Sequence, residues 1–360
     1  MAEKQKLQEE EKRKRSKVTQ ITRIDNSRRK NVVSYLGVFC VVVLMFALAE
    51  ITRKKEIIFP EIAAIGIGCL LTTKRAWRVT NKQMLAWIAI SAWVGTLISM
   101  YLPGPKAFQL IFAFAIAQFF YTYSTTTFAP MNSAVVLPVL LESKGVVYPL
   151  AAMLLTIVII GITLFIEQLF IPAKKRAEKK RQEEYRRLKQ TYRGPGRGPI
   201  RLPIRKKTAV IASVWRVCVM TILCMFAFYF HMPYLIAPPL LVAFTEFTRT
   251  KNLAMKMKAT TVLEITLCAF AGSICRYYIS MEYGLPLSLA AAFTMILVFS
   301  IQSLCKLKLP PAGALAILAM LVPEEAVLSY SVQILAGAIV YVAAAAAYNS
   351  LKWKLFTPVA

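Results

Sequence analysis

From residue 32 to residue 349 the chain is a succession of apolar segments separated by short polar turns. They lie at about 32–51, 57–72, 84–102, 107–128, 131–142, 147–171, 208–230, 234–248, 259–280, 285–305, 310–323 and 327–349. Apolar residues make up 57% of the 360, and no soluble domain has enough interior to hide so many long apolar runs. A spanning helix takes about 20 apolar residues, with about 17–25 tolerated, and a helix satisfies its own backbone in lipid. The pattern predicts an all-α, polytopic helical membrane protein with about 12 apolar segments.

Residues 57–170 and 235–350 share one order of segments, and their anchors align at a nearly constant offset. Trp93-Val94-Gly95-Thr96 precedes Phe270-Ala271-Gly272-Ser273 by 177 positions, and Pro130-Met131-Asn132-Ser133-Ala134 precedes Pro310-Pro311-Ala312-Gly313-Ala314 by 180. Two six-segment repeats are expected, a common plan for a transporter with its site where the halves meet. The expected domains are a basic arm (1–31), a first membrane repeat (32–171), a basic linker (172–207), a second repeat (208–351) and a tail (352–360).

Four segments are short and occupy corresponding places: 57–72, 131–142, 234–248 and 310–323. Pro60, Pro130, Pro138, Pro238-Pro239 and Pro310-Pro311 mark them. Short, proline-marked segments at matching positions point to a transporter binding site. Such segments either tilt, re-enter or line a cavity, or they are ordinary short helices packed inside a bundle.

The net charge of +27 is concentrated in two stretches, residues 1–30 and 172–207, which supply +18 of it. Neither belongs to a nucleic-acid-reading module; basic segments flanking membrane spans mark the cytoplasmic side and meet anionic lipid head groups. With twelve crossings both termini lie in the cytoplasm of a plasma-membrane protein. Arg53-Lys54-Lys55 then faces outward against the rule, so either that loop is tolerated or the first segment does not cross. The seven cysteines sit in or beside apolar segments without a CxxC pair, and His231 is the only histidine. Neither a disulfide framework nor a metal site is expected, and no cofactor. GxSxG, HExxH and phosphate-binding glycine loops are missing, so no enzyme is expected.

Ionisable groups at membrane depth are costly and often functional. Glu61, Glu167, Arg216, Glu246, Glu264 and Arg276 are the candidates. Glu246 stands three residues before Arg249 and either pairs with it locally or serves the site. Glu264 and Arg276 are twelve residues apart, about 18 Å along one helix, too far to pair. Arg216 is expected to snorkel to the inner head groups, and Glu167 to be interfacial. Asn132 and Ser133 offer hydrogen bonds near the midplane. Helix N-termini after Pro130 and Pro310 would present N–H groups to an anion. The expected solute path comprises Glu61, Pro130, Asn132, Ser133, Glu246, Glu264, Arg276, Pro310, Pro311 and Gly313.

Leu309-Pro310-Pro311-Ala312-Gly313-Ala314-Leu315-Ala316, with Pro238-Pro239-Leu240-Leu241-Val242-Ala243-Phe244 and Phe270-Ala271-Gly272 upstream, resembles the HPP family of integral membrane proteins. That family is named for a His-Pro-Pro-Ala-Gly-Ala run opening a membrane helix. The resemblance covers about 235–345, with a weaker echo at 57–170. Leu309 stands where the family has its histidine, and Ala129-Pro130-Met131 replaces the triplet in the first half. The resemblance implies a helical membrane domain and a transporter; plant and cyanobacterial relatives are linked to nitrite movement. The expected function is a carrier or channel-like carrier for a small solute, an inorganic anion among the candidates, with lipid as the other partner. Nucleic acid is excluded, and self-association is compatible. An exporter of amphipathic or aromatic compounds resembling fusaric-acid-resistance proteins, and a non-transporting membrane scaffold, are the alternatives.

Overall fold

The computed structural model describes residues 28–72, 74–170, 204–249 and 253–356, with no side chains at 204–207 or 352–356. The expectations for residues 1–27, for most of the linker and for the last residues of the tail fall outside the described residues. What is described is all-helical, without a strand, and contains seven helices long and apolar enough to cross a membrane. The chain is membrane-embedded.

The helices are α1 (Arg28–Thr52), α2 (Glu61–Gly66, continued by a wider turn to Leu71), α3 (Asn81–Tyr101), α4 (Lys106–Tyr123), α5 (Pro130–Leu140) and α6 (Val147–Phe170). They continue with α7 (Ile204–Tyr229), α8 (Pro238–Phe247), α9 (Lys258–Cys275, continued to Glu282), α10 (Leu287–Leu304), α11 (Pro310–Leu318, tightening over Ala319–Leu321) and α12 (Val327–Phe356). Two compact units are distinguished. The smaller joins the start of α1, through Gly37, to the end of α6, from Gly161; a Cβ on Gly37 would lie 3.0 Å from Ile162. The larger holds Val38–Ile160 and everything from residue 204 on.

Local chemistry sets the boundaries. Thr80 and Gln83 form a reciprocal capping box at the start of α3, which satisfies two otherwise orphan donors. Prolines occupy the first turn of α5, α8 and α11, where a missing N–H costs nothing. The same prolines stop each helix from extending backward, so these helices stay short. Eleven residues make about 16 Å of helix against a hydrocarbon core of about 30 Å.

Within the larger unit the four short helices form a closed ring: α2 touches α5, α5 touches α8, α8 touches α11, and α11 touches α2. Every residue of α5, α8 and α11, and all of α2 from Glu61 to Gly66, is buried. Long helices surround the ring and turn side chains such as Leu44, Phe119, Ile222, Phe270, Phe293 and Val332 outward. In water that surface would be an aggregation liability; in lipid it is the expected exterior.

Cross-element contacts sort the loops of this unit into two ends. At one, Lys308 donates to Leu71 O, Arg78 pairs with Thr127, and Asn349 donates to Phe247 O. At the other, Lys106 meets Glu142, Tyr234 N–H donates to Gln333, and Ser288 donates to Glu50. Each short segment begins at one end and finishes at the other, so none doubles back. The remaining depth is made up by buried backbone outside the α-helices: extended Ile58 and Phe59 before α2, Leu235 and Ile236 of the 3-10 turn Pro233–Ile236 with Ala237 before α8, and Leu307 with Leu309 before α11. Irregular backbone at such depth is tolerated because protein rather than lipid surrounds it. Of the loop Arg53-Lys54-Lys55, the neighbour Glu50 bonds Ser288, which puts that loop at the Lys106–Glu142 end.

The packing of α3 on α5 depends on Gly95, where an added Cβ would lie 2.2 Å from Val135 O. On α9 and α11 the same approach recurs: a Cβ on Gly272 would lie 2.2 Å from Ala316 O. Tyr148 donates to Ala134 O of α5 (3.3 Å), and Tyr330 donates to Leu315 O of α11 (2.7 Å). Small residues of this kind let helices close up in lipid, where dispersion replaces the hydrophobic drive.

Candidate functional site

A belt of polar side chains runs through the ring. Arg216 of α7 is 3% exposed. Its Nε donates to Thr248 Oγ1 (2.7 Å), and its Nη1 donates to Gln118 Oε1 of α4 (2.9 Å) and to Ser213 (3.4 Å). That contact fixes the amide of Gln118, whose Nε2 then donates to Thr245 Oγ1 of α8 (3.2 Å). Asn132 of α5 donates to the same Thr245 oxygen (3.0 Å), while the Thr245 hydroxyl donates to Leu241 O (2.8 Å). Next to Asn132, Ser133 donates a short hydrogen bond to Glu61 Oε1 of α2. Five helices thus contribute to one buried polar line.

Two acceptors in this line are unmet. Glu61 Oε2 and Asn132 Oδ1 are buried without a hydrogen-bond partner among the described residues. An unmet buried acceptor costs about 1–3 kcal/mol, more when charged, so each is an opening for something that donates.

The expected path residues separate into four groups. Glu61, Asn132 and Ser133 come together in the belt. Pro130, Pro310 and Pro311 open α5 and α11 and act through the backbone, and Gly313 lets α11 close on α2, where a Cβ would lie 2.4 Å from Ile67. Glu246, beside Thr245, accepts from Trp77 Nε1 (2.7 Å). Trp77 is itself buried against Gly68 and edge-on to Phe128, so this pair closes one end of the ring.

Glu264 and Arg276 lie apart from the belt, at the two ends of α11. Glu264 Oε1 accepts from Leu309 N–H (3.0 Å) at the head of α11. Arg276 Nη1 donates to Ala319 O (3.3 Å) and Met320 O at its tail. Their twelve-residue separation on α9, about 18 Å, equals the length of the twelve residues Pro310–Leu321 that run alongside. The signs match the helix dipole, with a carboxyl at the positive end and a guanidinium at the negative end. Of the N–H groups after Pro130 and Pro310 expected to face an anion, Asn132 N–H donates to Ala129 O and Ala312 N–H to Leu309 O, and the Leu309 N–H just before Pro310 is taken by Glu264.

Arg216 also departs from expectation. It does not reach toward head groups but is held inside by Gln118, Thr248 and Ser213, with the Tyr121 ring 5.4 Å from its guanidinium carbon. Gln118, Thr245 and Thr248 were not singled out from sequence. The available signal was Gln118, the one of the two glutamines in the run 107–128 that lies deep in it, and two threonines three residues apart at the end of α8. Glu167 is half-buried near the end of α6. Among the described residues no cluster of His, Cys, Asp and Glu could hold a metal ion. No family model, curated protein or solved structure matches the chain.

Proposed function

We propose that this protein is a carrier for a small anionic solute in the plasma membrane, with both termini in the cytoplasm. One observation carries the anion: Arg216 is a buried guanidinium whose hydrogen-bond partners are all neutral. A buried charge without a counter-ion is expensive, and a planar anion would supply what Arg216 lacks through a paired contact. The polar belt from Arg216 to Glu61 then offers a route through the ring.

Support for two fused repeats comes from contacts that recur at matching positions: Gly95 and Gly272, Tyr148 and Tyr330, and the exchange of α2, α5 for α8, α11 around the ring. The cytoplasmic assignment rests on charge. Eight basic residues, Lys74, Arg75, Arg78, Arg249, Lys256, Lys258, Lys306 and Lys308, belong to one end against five, Arg53, Lys54, Lys55, Lys106 and Lys144, at the other, and the excess favours the first end as the cytoplasmic one. Membership of the HPP family remains part of the proposal and makes nitrite the first solute to try.

The test is uptake by proteoliposomes of labelled nitrite, nitrate, chloride and formate. Wild-type protein should show saturable uptake of at least one. Arg216→Leu should cut it by about a hundredfold, the ~3 kcal/mol of a desolvated charge pair, and Arg216→Lys should not restore it, because a point charge lacks the planar fork. Liposomes that stay tight to all four would end the anion reading.

A further inference from the structure

We propose that Glu61 is a proton-binding site and that the carrier moves its solute together with protons through it. The inference builds on the carrier reading for the coupling, while the proton site itself stands on geometry.

Glu61 is buried at the point where the extended chain from Ile58 enters α2, inside the ring of short helices. One carboxyl oxygen accepts from Ser133, and the other meets no donor. No Lys or Arg pairs with it among the described residues. The elements packed around it are almost free of ionisable groups. α5 and α11 carry none, and α1 presents Val38 and Met45 to this region. Of the titratable side chains near it, Tyr148 of α6 packs on α5 and Tyr330 of α12 packs on α11. The hydroxyl proton of each is committed to a carbonyl, Ala134 O and Leu315 O respectively.

Both states of the acid are therefore provided for. The carboxylate keeps its hydrogen bond from Ser133 and sits in the first turn of α2, at the positive end of that helix's dipole. The dry ring without a counter-ion suits the neutral acid, whose O–H can satisfy the position of Oε2 by donating to a bound solute or to water. A single group balanced in this way takes a proton when the ring opens to one side and returns it to water on the other. Neutralising a carboxylate as an anion enters also removes the repulsion the two would otherwise feel. Asn132, with its own unmet oxygen one residue from Ser133, is placed to accept from the protonated carrier's solute or water.

Two measurements on reconstituted full-length protein test this. Infrared difference spectra during a pH titration should show a buried carboxyl C=O band that appears and disappears in wild-type protein and is lost in Glu61→Gln, which keeps an oxygen for Ser133. A wild-type spectrum without such a band, or the same band in Glu61→Gln, overturns the proposal even where transport is observed. In flux assays an imposed pH gradient should raise wild-type uptake severalfold, and whatever uptake Glu61→Gln retains should not respond to the gradient. Equal stimulation of both proteins overturns the coupling. If the infrared band behaves as expected but no anion moves, the carrier reading fails and the proton site stands.

Discussion

Replacing Gly95 or Gly272 by alanine should cost about the same stability, and the size follows from the packing. At each position the new methyl would sit 2.2 Å from a backbone carbonyl oxygen, Val135 O or Ala316 O, whereas ordinary contact begins at 3.4 Å. The difference, 1.2 Å, cannot be absorbed by a flexible side chain. At Gly95 the next nearest atom is Pro138 Cγ at 2.7 Å, and at Gly272 it belongs to the same carbonyl group. The paired helices must therefore separate by about 1 Å, a gap that forfeits up to about half of the dispersion energy along the seam. Overpacking of this kind costs about 1–3 kcal/mol. With α5 and α11 pinned on all sides the upper end applies. Alanine's better helix propensity returns about 1 kcal/mol, leaving a net loss of ~2 kcal/mol, or ~30-fold in the unfolding equilibrium. Unfolding by SDS titration of mixed micelles, followed by circular dichroism, would read it. Gly161→Ala is the control, because no atom lies within 4 Å of its added Cβ; inside α6 it should gain up to about 1 kcal/mol from helix propensity alone. Should Gly95→Ala and Gly272→Ala unfold alongside Gly161→Ala, the close approach of the short helices to α3 and α9 is wrong.

The clamp on α11 makes a graded prediction. Glu264→Gln keeps an acceptor for Leu309 N–H and should lose less than Glu264→Leu, which orphans that donor at about 1–3 kcal/mol. Arg276→Leu should cost a similar amount at the other end, and the double variant should be additive because the sites are about 18 Å apart; the same SDS titration reads all four. The pair Lys106–Glu142 is the opposite case: the Lys106 hydrogen bond and charge hold the Glu142 carboxyl below its usual range, but the side chains are 30% and 68% exposed. Its stabilisation should be present at neutral pH and fade on acidification through the depressed folded value. Solvent screening should keep the loss in Lys106→Ala below about 0.5 kcal/mol.

Much of the framework could be read before folding. Apolar length located the helices, and the prolines at 130, 238, 239, 310 and 311 fixed the first turns of three short ones, because proline's geometry acts locally. Glu61, Asn132 and Ser133 were legible as costly polar groups in apolar surroundings. Arg216 was misjudged for a physical reason: a lone arginine eight residues into an apolar run snorkels unless partners await it inside. Those partners, Gln118 and Thr248, come from helices 98 and 32 residues away. Glu264 and Arg276 were correctly judged unable to pair with each other. That their spacing equals the length of α11 became visible only once that helix lay parallel to α9. The ring itself depends on contacts between the two halves, which no segment carries alone.

The most direct test of the account asks whether the interior of the ring meets water from both sides. In a background with the seven cysteines replaced, Ser133→Cys and Thr245→Cys should be modified by a membrane-impermeant thiol reagent added to either face of sealed vesicles, and a transported anion should slow the reaction at both. If neither position reacts from either face under conditions where a loop cysteine at Glu142 does, the ring is a sealed core and the carrier account is contradicted.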